Sequence, residues 1–190
     1  MDIRELAGKL AEATNIPVHD YENHTVAVVI GLTMTRLFFP ALLFYRPVLA
    51  VVISLITDEI DGFIFNFFST WTRAQYQLWD KIFDLWWYAA LMLYSVKNFS
   101  AEKRNWLIGL LVFRLLGQVA YFVWPNEEIF LFFPNYFEAF FVICLLEQKW
   151  KRFDRLMHSW RAWIIYFLAF AIAMIREVEI HMGASVKQIW

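Results

Sequence analysis

Cysteine is almost absent: Cys144 stands alone in the apolar segment FFVICLL, so one chain can build neither a disulfide framework nor a cysteine metal site. Charge is scarce too. Lys, Arg, Asp and Glu make up 18% of 190 residues and the formal net charge is −1, which excludes a basic nucleic-acid-binding surface and an acidic disordered tail. There is no internal repeat and no low-complexity tract, so the chain reads as a single domain, 1–190. Six glycines are few for the paired, broken helices common in transporters, which weakens an ion or proton pathway as a reading. The opening MDIRELAGKLAEATN has neither the apolar core nor the cleavage site of a signal peptide and is expected to remain in the mature protein.

What is abundant is apolar surface: 61% of residues are hydrophobic and 20% aromatic, above the share of an ordinary globular protein. A bilayer core of about 30 Å asks for roughly 20 apolar residues per helix. Windows of that kind fall at about 26–44, 47–68, 78–96, 106–124, 129–146 and 161–175. Their long unbroken runs favour helices over the alternating strands of a barrel. The expected fold is therefore all-α, a polytopic membrane protein with six transmembrane helices and the lipid bilayer as its surroundings. Ile3, Leu6, Ala7, Leu10 and Ala11 recur at helical spacing and predict an interfacial amphipathic helix over 1–14. Trp71, Trp79, Trp106, Trp124, Trp150 and Trp160 fall near segment ends, as headgroup anchors do.

Against this background the carboxylates stand out. Charge within a span costs at least ~2.5–3.5 kcal/mol per residue on insertion scales, so it usually faces protein or water and acts there. Asp58 and Asp61 lie three apart in the second span, and Asp80 and Asp84 four apart in the third, so each pair shares one helix face. The turn STWTRAQ makes those spans a hairpin that can bring the pairs together. Four carboxylates in a low-dielectric site repel one another unless cations neutralise them. Oxygen-only ligands suit Mg²⁺, Mn²⁺ or Ca²⁺ over zinc, and paired ions of this kind serve phosphoryl chemistry. The competing reading has the carboxylates hydrated near helix ends, with Lys81 and Arg73 as partners. Arg36, Arg114 and Glu138 are further charges within the first, fourth and fifth spans; the arginines either contact phosphate, snorkel, or pair with Glu138.

The run DEIDG followed by YQLWDKIFD resembles the signature of the CDP-alcohol phosphatidyltransferases, D-x-x-D-G-x-x-A-R, a spacer, then G-x-x-x-D-x-x-x-D. Asp58, Asp61, Gly62, Asp80 and Asp84 match, whereas Phe65, Asn66 and Tyr76 stand where the family has alanine, arginine and glycine. LTMTRL, with Arg36, is similar to a run that opens the family's first span, and Arg114 stands in the fourth span where members often carry an arginine. The resemblance implies six helices, an interfacial N-terminal helix and a homodimer. It implies a CDP-linked donor, an alcohol acceptor and one or two Mg²⁺ or Mn²⁺ ions. Asp58, Asp61, Asp80 and Asp84 would hold metal, with Asp84 also the general base that removes the alcohol proton as CMP is released. Gly62, Asn66, Arg73, Tyr76, Arg36 and Arg114 would line the substrate site. The three departures bear on nucleotide recognition: a phenol fills space that glycine leaves open, and losing the arginine removes a cation for the diphosphate. A relative that keeps the metal and lacks the CDP pocket is the alternative.

The sidedness signals conflict. With six spans, Arg46, Lys97, Lys103, Arg104, Lys149, Lys151, Arg152 and Arg155 fall on the side away from the aspartate hairpin's turn, and the positive-inside rule places that side in the cytosol. The resemblance implies the opposite, an active site facing the cytosol.

Overall fold

The computed structural model describes the backbone of residues 18–68 and 72–187, with side chains at 26–58, 60–62, 64, 72 and 75–179. The interfacial helix expected over 1–14, Trp71, and the side chains of Phe65, Asn66 and Arg73 lie outside the described residues. Every regular element among the described residues is helical, so the fold is all-α. The helices are α1 (Val18–Phe38), α2 (Pro47–Phe68), α3 (Arg73–Asn98), α4 (Ala101–Val123), α5 (Ile129–Phe132), α6 (Tyr136–Lys149), α7 (Lys151–Met157) and α8 (Ala162–Lys187), with a 3-10 stretch at Phe39–Phe44 after α1. Residues Val26–Phe44 and Ala101–Val123 are long and apolar enough to cross a membrane.

Two expected spans are interrupted, both at proline. The run over 26–44 leaves α-geometry at Phe38, where Pro40 lacks an N–H for the helical ladder. The run over 129–146 is broken between Phe132 and Tyr136, because Pro134 disfavours helix at the residue before it. Asn135 then starts α6 afresh, its side-chain oxygen accepting from the Glu138 N–H at 3.2 Å. Pro47 does the opposite work: at the first helical position its missing N–H is not needed, and α2 begins there with the Ala50 N–H bonded to the Arg46 carbonyl at 2.9 Å.

The chain groups into two compact units, one through Trp87 and one from Tyr88 onward. In the first, Thr33, Arg36 and Leu37 share a face of α1 and meet α3. Trp79 Nε1 donates to Thr33 Oγ1 at 3.0 Å, and Trp86 Nε1 donates to the Leu37 carbonyl at 3.1 Å. Trp79 is thus buried at a helix contact instead of facing outward as the anchor expectation requires, because its indole has both a hydroxyl partner and a cation over its ring. Trp106, Trp124, Trp150 and Trp160 are exposed.

In the second unit Ser100 caps α4, its hydroxyl accepting from the Lys103 N–H. Phe137, Phe141, Cys144 and Leu145 bury one stripe of α6. Tyr94, Phe99 and Phe141 form a ring cluster with centroids 5.5 to 5.8 Å apart. At Gly117 the α4 backbone lies so close to the loop before α6 that an added Cβ would stand 2.5 Å from the Phe133 Cβ.

Candidate functional site: an arginine within an aspartate quartet

The two aspartate pairs come together. Asp58, Asp80 and Asp84 each offer a carboxylate oxygen, and these atoms lie within 4.8 Å of one another. α2 supplies Asp58 and Asp61, α3 supplies Asp80 and Asp84, and the three- and four-residue spacings aim each pair along one helix face. Asp61 stands outside that trio and is fully buried.

At the centre sits Arg36 of α1. Its Nη2 bonds Asp58 Oδ1 at 3.0 Å and also Asp61 Oδ2, while Nη1 bonds Asp80 Oδ1 at 3.1 Å and stands 3.8 Å from Asp84 Oδ1. One planar fork therefore faces all four carboxylates, a task that suits guanidinium and not ammonium. Lys81 adds a second cation, with Nζ 2.8 Å from Asp80 Oδ2 and 3.3 Å from Asp84 Oδ2. Burial grades across the group: the Arg36 side chain is 7% exposed, Asp61 0% and Asp58 36%. Asp58 marks the accessible edge.

Two positive charges face four negative ones among these side chains. Oxygens within 4.8 Å suit a hard cation, since ligands on opposite sides of Mg²⁺, Mn²⁺ or Ca²⁺ stand about 4–5 Å apart at bond lengths of roughly 2.0–2.6 Å. The donor set fits such an ion. Asp58, Asp80 and Asp84 would hold it, whereas Asp61, expected to hold metal with them on the resemblance, is turned to Arg36 and to the phenol of Tyr76, which donates to Asp61 Oδ1 at 2.9 Å. That phenol oxygen also lies 3.3 Å from where a Cβ on Gly62 would stand, so Tyr76 covers the bare backbone at Gly62.

Arg114, expected near phosphate or Glu138, belongs to a buried network in the second unit. Its Nη1 pairs with Glu177 Oε1 at 2.9 Å and bonds the Phe133 carbonyl at 2.7 Å, and its guanidinium stands 4.7 Å from the Phe130 ring centre. Asn135 joins the network, with its backbone N–H on Glu177 Oε1 at 3.0 Å and its side-chain amide on the Tyr88 hydroxyl at 3.1 Å. Glu177 escaped sequence reasoning because the last apolar window stops at 175, whereas α8 continues to Lys187. Among sequence signals, only an arginine within an apolar run, in need of a counter-ion, pointed toward it.

Compared with known proteins, the chain matches no family model, no curated protein and no solved structure.

Proposed function

We propose that this is a multi-pass membrane protein whose acidic hairpin supports divalent-metal-dependent transfer of a phosphoalcohol or phosphatidyl group from a CDP-linked donor to an alcohol, with release of CMP. The observation that carries this reading is the convergence of Asp58, Asp80 and Asp84 within 4.8 Å. Their sequence pattern resembles the CDP-alcohol phosphatidyltransferase signature.

Six spans with an interfacial N-terminal helix are part of the proposal. α2, α3, α4 and α8 have 22, 26, 23 and 26 residues, or about 33–39 Å at 1.5 Å per residue, enough for a hydrocarbon core of about 30 Å. Large apolar side chains point outward along each of them, among them Val52, Ile56, Ile82, Val112, Phe167 and Ile172. A second copy of the chain is the proposed partner.

Bound Mg²⁺ or Mn²⁺ would offset charge on the donor pyrophosphate and ease departure of CMP. The chain supplies the rest. Asp84 takes the proton from the acceptor hydroxyl as its oxygen bonds the donor phosphorus and the bond from that phosphorus to the CMP oxygen breaks. Lys81 orients the Asp84 carboxylate from 3.3 Å. Arg36 holds the four carboxylates in register from a separate helix. Purified protein in detergent, incubated with CDP-diacylglycerol or a CDP-alcohol, an alcohol and Mg²⁺ or Mn²⁺, is expected to release CMP. Absence of CMP with every donor overturns the catalytic reading.

One observation favours a second reading, a non-catalytic relative that retains metal and serves as a partner subunit or lipid binder. Tyr76 fills the space over Gly62 and is anchored there by Asp61. Metal binding with no measurable CMP binding identifies this case.

A further inference from the structure

The stretch joining α6 to α8 carries features that the acidic hairpin does not use. Arg152, Arg155, Leu156, Ser159, Trp160 and Arg161 line an open hollow of about 370 Å³. All three arginines are exposed, and among the described residues none is paired with a carboxylate: the neighbouring acids Asp154 and Glu147 are paired with His158 and Lys103. Three cations around one hollow make a positive site that favours an anion, and guanidinium matches phosphate in both charge and fork geometry.

What adjoins the hollow identifies the anion's carrier. Trp160 and Trp163 are 73% and 80% exposed, and Arg161 lies 5.9 Å from the Trp160 ring centre. α8 begins at the next residue, and its outward side is apolar, with Ile164, Leu168, Ile172 and Ile175 exposed along one stripe. From Ile164 to Ile175 that stripe runs about 16–17 Å at 1.5 Å per residue, near the roughly 15 Å depth of one leaflet's hydrocarbon. A phosphate site at the mouth of an acyl-length apolar stripe, with indoles between, has the layout of a phospholipid.

We propose that this hollow binds the phosphate of an anionic phospholipid, with the acyl chains along α8. Each basic residue near an anionic membrane surface contributes on the order of a fivefold preference, so three together give on the order of 100-fold.

The test is native mass spectrometry of the full chain released from mixed phosphatidylglycerol and phosphatidylcholine micelles. Wild type is expected to retain phosphatidylglycerol selectively. R152Q/R155Q/R161Q should lose on the order of 100-fold of that preference, and R155Q alone about fivefold. R46Q, an exposed arginine of the first unit, should leave it unchanged. Equal retention of the two lipids by wild type, or an unchanged preference in R155Q and the triple variant, overturns the proposal. Displacement of the lipid by millimolar inorganic phosphate would show a free-phosphate site and overturn it equally.

Discussion

The Tyr76 hydroxyl donates to Asp61 Oδ1 at 2.9 Å, linking the start of α3 to a fully buried carboxylate on α2. Removing one donor from a buried acceptor costs about 1–3 kcal/mol. Y76F is therefore expected to lower the thermal unfolding midpoint of the detergent-solubilised protein. Y76G removes the ring from above Gly62 and should increase binding of CMP, read by equilibrium dialysis. Unaltered CMP binding in Y76G would show that this tyrosine does not gate the nucleotide.

Arg36 offers a sharper contrast. R36A leaves its carboxylates short of a buried cation, a loss that typically costs about 3–5 kcal/mol. R36K should rescue only partly, since an ammonium cannot reproduce the fork. Mn²⁺ should raise the unfolding midpoint of R36A more than that of wild type, because a divalent ion can replace the missing charge. An equal Mn²⁺ shift in both proteins would rule out that replacement.

For the chemistry, D84N is expected to lower the rate of CMP release by about 10²–10⁴-fold, the usual contribution of a general base. D58N and D80N should weaken Mn²⁺ binding, followed by the paramagnetic signal of the free ion. D61N should weaken it less, because Asp61 stands outside the group of three. Equal effects of D61N and D58N would place Asp61 among the ligands.

Much of this arrangement was legible from residue spacing. The pairs Asp58–Asp61 and Asp80–Asp84 could be read as facing sets because a helix repeats every 3.6 residues. The central partner could not. Arg36 lies 22 residues before Asp58, and nothing local in a sequence says which face of a first helix meets a later hairpin. Lys81 was legible as a partner through its adjacency to Asp80. Tyr76 read as an obstacle to a ligand, and its second role as a donor emerged only from tertiary placement. Helix existence was readable from apolar runs, whereas the breaks at Pro40 and Pro134 were hidden by the strongly apolar residues around them.

Arg114 and Glu177 form a second buried pair, 2.9 Å apart. E177L and R114M should each destabilise the protein, by about 3–5 kcal/mol where a charge is left unpaired. The double variant R114M/E177L should recover part of that loss. Additive losses, measured as a double-mutant cycle, would show the two residues to be independent.

His158 provides a pH-dependent signal away from the apolar helices. Its pKa is raised above the ordinary 6.5, first because the Asp154 carbonyl accepts a hydrogen bond from the ring and then because the Asp154 carboxylate lies 3.5 Å away. A raised pKa means the folded chain favours the charged imidazole. That contribution is complete below the unfolded-state pKa and is lost as pH rises through the folded-state value. NMR titration should find His158 above 6.5. D154N should lower it in part, since the backbone carbonyl remains.

The bare α-carbon at Gly117 reaches further than its size suggests. Because no methyl group intervenes there, the Phe133 main chain can approach α4 until Arg114 grasps its carbonyl at 2.7 Å. The same guanidinium nitrogen holds Glu177, near the far end of the chain. A single alanine at position 117 would push the loop outward, and the disturbance would be inherited by a helix 60 residues downstream in sequence, with no direct contact required.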